Sequence, residues 1–179
     1  MDATAAWIGL GANLGDAQGA IVEALAGISL IEGTRLAAVS SLYRSAPVDA
    51  EGPDFLNAVA RVDTTLPPEA LLDALQAIER DHGRQRSHRN APRTLDLDLL
   101  AWGDAVSASP RLTLPHPRMH LRAFVLVPLA ELDPGLRLPG LPPLPALLAG
   151  CAGQRLGRTL PAETLLSLVS QTSAAAAKR

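Results

Sequence analysis

Cysteine is almost missing from this chain: Cys151 is the only one in 179 residues. That excludes an internal disulfide and any cysteine-based zinc cluster. Aromatic residues make up only 3%, too few for the exposed stacking platforms with which ferredoxin-like sheets read RNA. An excess of charge is lacking too, since the formal net charge is -2. A general nucleic-acid binder would need a basic surface. No window approaches the roughly 18 uninterrupted apolar residues of a spanning helix. The start, "MDATAAWIGL", carries an acid and no basic n-region of a signal peptide. The expectation is a cytoplasmic protein with neither nucleic acid nor membrane as partner.

What is present describes a globular chain: 47% hydrophobic and 19% charged residues, enough length for one domain with a real core. We expect a single domain over residues 1–179, acting as a monomer, with 171–179 as a frayed tail. Arginine is unevenly spread. Arg80, Arg84, Arg86, Arg89 and Arg93 crowd into "RDHGRQRSHRNAPR", and guanidinium groups bind phosphate oxygens in pairs.

The pattern of elements follows from periodicity. "TAAWIGLG" is short, apolar and stops at glycines, which predicts a first strand. A helix follows over "NLGDAQGAIVEALAGISL", with Asp16 as N-cap and Ile21, Leu25 and Ile28 on one face. "TRLAAVSSLYRS" reads as a second strand. In "DFLNAVARVDT", Leu56, Ala58, Ala60 and Val62 face one way, and Phe55, Asn57, Val59 and Arg61 the other. "LPPEALLDALQAIERDHGR" predicts an amphipathic helix, with prolines at its start and Gly83 at its stop. A further strand, "LDLDLL", completes a β-α-β-β-α-β order. The expected class is α+β: a ferredoxin-like antiparallel sheet with helices packed on it and a C-terminal extension. Beyond it lie a short strand in "RLTLPH", a helix near "RAFVLVPLAEL" and a small helix around "LPALLAGCA".

Within "RTLDLDLL", Asp96 and Asp98 alternate with leucines. On a strand both carboxylates point to one face, roughly 7 Å apart at Cα. Like charges there repel, and aspartate is a poor strand former. A divalent cation offsets both costs, and magnesium is held by one or two carboxylates plus substrate oxygens. The arginine-rich stretch supplies the phosphate counterpart. Gln76 and Glu79, spaced i, i+3, share a helix face, ordinarily a solvated one. In "LPHPRMHLRAF", Pro117 prevents His116 and His120 from sharing a regular helix as a zinc pair, and His116 with Arg122 fits phosphate better. Phe55 and Phe124, the only phenylalanines, are ordinary core residues by type. Phe55 nevertheless shares a strand face with Asn57, and an aromatic beside an amide binds a flat heterocycle by stacking and hydrogen bonds. A metal-dependent nucleotidyl transferase would use the same carboxylates with another acceptor.

Taken together, "RNAPRTLDLDLL", "IGLGANLGD", "YRSAPV", "DFLNAV" and "LPHPRMHLRAFVL" resemble the 6-hydroxymethyl-7,8-dihydropterin pyrophosphokinase family over roughly residues 7 to 130. The resemblance implies transfer of a pyrophosphoryl group from ATP, attacked at its β phosphorus, to the pterin hydroxymethyl. AMP is released and two magnesium ions take part. By motif position, Asp96 and Asp98 hold both ions, and Arg84 and Arg93 join them as catalytic residues, Arg84 in a mobile loop. Ser45, Pro47, Val48, Phe55, Asn57 and Phe124 form the pterin side. Gln76, Glu79, Arg86, Arg93, Thr113, His116 and Arg122 form the ATP side. The chain departs from the family where Asn90 replaces a tryptophan, Phe55 a tyrosine and Pro117 an aromatic. No side chain stands out as a general base, and the residues after Ala149 receive no role.

Overall fold

The computed structural model describes residues 2–47, 51–83 and 95–178. Strand β1, Thr4–Ala12, is followed by helix α1, Ala17–Ser29, whose first turn is fixed by Asp16: Gly19 N–H donates to its Oδ1 at 2.9 Å. Strands β2 (Thr34–Val39), β3 (Leu42–Ser45) and β4 (Phe55–Thr64) come next. Helix α2, Pro68–Asp81, ends at Gly83, whose φ of 73° places it in the left-handed region that favours glycine after a helix. Strand β5 is Asp96–Trp102. A small ribbon, β6 (Ser107–Ala108) with β7 (Thr113–Leu114), precedes a 3-10 turn at Met119–Leu121. Helices α3 (Ala123–Leu132) and α4 (Leu144–Gly150), strand β8 (Leu156–Leu160) and helix α5 (Ala162–Ala176) complete the chain.

The main sheet runs β5-β1-β4-β3-β8, with β2 also paired to β4 and every pairing antiparallel. Its first four positions have the strand order of the ferredoxin-like arrangement, so the α+β expectation holds. The first strand ends at its glycines as expected, one residue past Gly11 at Ala12. Two elements differ from the sequence pattern. The expected second strand divides at Ser40 and Ser41. Ser40 Oγ accepts from Val59 N–H at 2.9 Å and donates to Ser41 O at 2.8 Å, so the hydroxyl replaces a ladder bond while the register slips by one residue. Residues 171–176 are helix rather than tail. Leu165 and Val169 anchor α5 in the core, Ser173 Oγ lies 3.4 Å from Ser29 Oγ, and alanines extend helices readily.

The two sheet faces bury separate clusters. On one, Ile8, Leu10, Ala58, Ala60, Val62, Leu97 and Leu99 pack under α1, α2 and α5. On the other, Trp7, Val59, Leu100 and Ala101 pack under α3, α4 and the 3-10 turn. A bulge in β5 puts Leu100 and Ala101 on the same face. The second cluster covers only part of its face and leaves the row through Asp96 and Asn57 outside the packed core. No helix among the described residues is long and apolar enough to cross a membrane.

Candidate active site

Asp96 and Asp98 lie on β5 with Leu97 between them buried in the first cluster, so both carboxylates share the second face. Strand pairing fixes their neighbours. Asp96 pairs with Gly11, which pairs on its other side with Asn57, which pairs with Tyr43. Asp98 pairs with Gly9, which pairs with Val59. Gly11 of "GLGAN" thus forms a low floor between the Asp96 carboxylate and the Asn57 amide. Sequence reasoning took the two glycines as the end of a strand. Their spacing of two was the available signal, since glycine inside a strand often marks close approach of a ligand.

Asn57 is only 4% exposed. Its Nδ2 donates to Ser45 Oγ at 2.8 Å, which fixes the amide plane. Phe55 opens β4 two residues earlier on the same face and pairs with Ser45. Phe124 lies in the first turn of α3, which packs over β4 and β3. The Arg122 guanidinium lies 5.5 Å from the Phe124 ring centre, within cation–π range. The expected pterin-side residues Ser45, Phe55 and Asn57 therefore come together on one patch of sheet, while Pro47 follows β3 directly. Val48 lies outside the described residues, as do Arg84, Arg86, Asn90 and Arg93.

His116 reaches the acids by another route. A cis Leu114–Pro115 peptide precedes it, and its N–H donates to Leu100 O at 2.8 Å, tying it to the β5 bulge. Nε2 stands 4.0 Å from Asp98 Oδ1, and Nδ1 accepts from Arg118 N–H at 3.2 Å. The ring proton therefore sits on Nε2, facing the carboxylate. Burial, and then the charges of Arg122 and Arg118, pull its pKa down to about 4, against the weaker pull of Asp96. With that pKa the ring is neutral at physiological pH and carries a proton to donate. Thr113 is exposed on β7.

Glu79 is the clearest correction to the sequence pattern. It is 1% exposed, not part of a solvated helix face. Its Oε1 accepts from Leu97 N–H at 2.8 Å, so α2 satisfies an edge donor midway between the two aspartates. Gln76, one turn earlier, is half-buried. A second clamp was not foreseen. Glu131, near the end of α3, accepts from Ser41 N–H at 2.9 Å, Ser41 Oγ at 2.7 Å and Tyr43 OH at 2.5 Å.

Among the described residues no three His, Cys, Asp or Glu side chains gather as a closed metal cage. The donor set is oxygen-only, two carboxylates on one open face. That suits a hard cation which completes its coordination with substrate phosphate and water.

Comparison with known proteins converges on one family. The profile of 7,8-dihydro-6-hydroxymethylpterin-pyrophosphokinase (HPPK) matches residues 7–134. A 2-amino-4-hydroxy-6-hydroxymethyldihydropteridine pyrophosphokinase from Pseudomonas aeruginosa is 50% identical over 153 residues, covering 85% of this chain and 94% of the relative. Its counterpart from Haemophilus influenzae is 46% identical over 135 residues, 75% of this chain and 84% of the relative. Among solved structures, the HPPK-DHPS protein of Plasmodium falciparum superposes with a TM-score of 0.68 at 14% identity. That match spans 83% of this chain and 46% of the longer one, and it speaks for the fold.

Proposed function

The chain belongs to the 7,8-dihydro-6-hydroxymethylpterin-pyrophosphokinase family, and from that membership we infer that it transfers pyrophosphate from ATP to 6-hydroxymethyl-7,8-dihydropterin in folate biosynthesis. The observation that carries this reading in the structure is the row Asp96–Gly11–Asn57, which sets a carboxylate wall and a heterocycle-reading amide on opposite sides of an open floor.

The reaction forms a bond from the hydroxymethyl oxygen to the β phosphorus of ATP. It breaks the bond from that phosphorus to the bridging oxygen, which leaves with AMP, and the hydroxyl proton passes to solvent. On the acceptor side, Phe55 and Phe124 stack on the pterin, and Asn57 hydrogen-bonds its edge in the orientation set by Ser45. Pro47 and Val48 are the remaining acceptor-side residues of the motif. On the nucleotide side, Gln76, Arg86, Thr113 and Arg122 bind ATP, and the motif gives Arg84 and Arg93 the catalytic role. Guanidinium groups there stabilise charge as it develops on phosphate oxygens. Neutral His116 keeps Nε2 at 4.0 Å from Asp98 Oδ1, beyond direct hydrogen-bond reach, and adds no positive charge beside the carboxylates. Glu79 acts through the β5 backbone and fixes the spacing of the aspartates. Asp96 and Asp98 would hold two magnesium ions, which when bound neutralise phosphate charge and lower the cost of ionising the acceptor hydroxyl.

The decisive experiment incubates the protein with ATP, magnesium and the pterin, then resolves products by chromatography, with a pterin-free control. Equal amounts of AMP and pterin pyrophosphate support the assignment. Release of free pyrophosphate would favour the nucleotidyl-transferase reading, and absence of any pterin product would refute transfer to this acceptor.

A further inference from the structure

Gly11 has no conformational reason to be glycine. The glycines with left-handed φ are Gly15, Gly33, Gly52, Gly83, Gly103 and Gly140, and Gly11 is not among them. It sits in regular antiparallel pairing on both sides, a backbone any residue adopts. Nor do the described neighbours forbid a side chain. A Cβ built there would lie 3.4 Å from Asn57 Oδ1 and 4.0 Å from Leu56 O, ordinary contact distances, with nothing else among the described residues within 4 Å. Gly9, two residues away, differs: a Cβ there would meet three atoms of the Leu100 side chain at 3.4 to 3.6 Å. Leu100 thus fills the space above Gly9, and no described side chain does the same above Gly11.

Glycine weakens a strand relative to alanine, so the chain gives up some strand stability at a position whose packing would admit a methyl group. What the empty volume borders is chemical. On one side stands the buried Asn57 amide, its Nδ2 committed to Ser45 and its Oδ1 turned over Gly11. On the other stands Asp96. The two flanking strands are separated by β1 alone, roughly 10 Å between backbones. That gap fits a flat heterocycle whose edge meets the amide and whose alcohol sits one carbon off the ring, toward the carboxylates.

We propose that Gly11 is the specificity-determining position for the acceptor: its absent side chain keeps the passage from Asn57 to Asp96 open to the edge of a planar ring and its hydroxymethyl arm crossing over β1. This rests on the pterin reading given above. The test is Gly11→Ala, with three readouts. The pterin KM is expected to rise at least about tenfold, the size of effect one methyl group has in a fitted pocket. The Kd for a non-hydrolysable ATP analogue is expected to stay within twofold, and Tm to be equal to or above that of the unaltered protein. A pterin KM within twofold of the original would overturn the proposal, and so would parallel losses in pterin and nucleotide affinity. A variant that does not fold also refutes it, because the argument requires the fold itself to tolerate the methyl group. Failure of the underlying reading looks different: the unaltered protein would then form no pterin pyrophosphate at all.

Discussion

Asp98 is 38% exposed at its side chain and stands 4.0 Å from His116 Nε2, while Asp96, which acts on that ring by its charge, pairs with Gly11. The two acids are thus equivalent in sequence but not in surroundings. If both hold the metal, Asp98→Ala at saturating ATP and magnesium should remove turnover well beyond the roughly 10–100-fold that loss of a mere outer partner costs. Steady-state AMP formation checks this, and near-normal kcat would reject the metal assignment. Phe124 tests the opposite end of the site. Its ring, proposed above for the acceptor side, also carries Arg122 at 5.5 Å. Phe124→Ala should therefore raise the pterin KM much more than the ATP KM, and equal losses would point to an indirect effect through Arg122.

At the level of elements, α3 is clamped to β3 by Glu131, and through β3 to Ser45 and the Asn57 amide. Burial alone would raise the Glu131 pKa, but hydrogen bonds from Tyr43 and Ser41 outweigh it and hold the carboxyl below its ordinary 4.5. Burial, followed by the hydrogen bond and charge of Glu131, pushes the Tyr43 phenol up to about 12. The signs follow by linkage. The depressed carboxyl contributes stability above pH 4.5 that is lost as pH falls through its lower folded value. The raised phenol contributes stability below pH 10 that is lost as pH rises toward 12. Tyr43 is the only tyrosine in the chain, so an absorbance titration reads it alone. Glu131→Gln should bring its midpoint down toward 10 and flatten the loss of stability in acid; an unmoved midpoint would contradict the clamp.

For the molecule as a whole, the division of the core is the governing fact. One face of the sheet packs under α1, α2 and α5, and the other under α3 and α4, with the row through Gly11, the proposed substrate floor, outside both clusters of described residues. The proposed site and the larger cluster then lie on opposite faces of the sheet. Leu165→Ala, deep in the larger cluster, should cost about 2–5 kcal/mol in denaturant unfolding while pterin and ATP KM values stay unchanged in the folded enzyme. A coupled rise in either KM would mean that α5 reaches the site.

Much of this was legible in the chain, for reasons that differ by residue. The Asp96 and Asp98 face, the two faces of "DFLNAVARVDT" and the stripe of α2 were determined locally, because strand and helix periods act over a few residues and need no partner to be read. Asp16 and Gly83 were readable for the same reason, as a cap and a stop. Tertiary structure decided the rest. Glu79 looked solvated, since nothing within its helix reveals that an unpaired strand N–H lies against it. Ser40 looked like strand, since only the Val59 N–H opposite makes its hydroxyl a substitute for the ladder. Gly9 and Gly11 read alike in sequence, yet a bulge in a strand about ninety residues away sends Leu100 over Gly9, while Asn57 Oδ1 is the nearest described side-chain atom to Gly11. Local sequence sets which way a side chain points; what it meets there is fixed only when strands distant in the chain come into register.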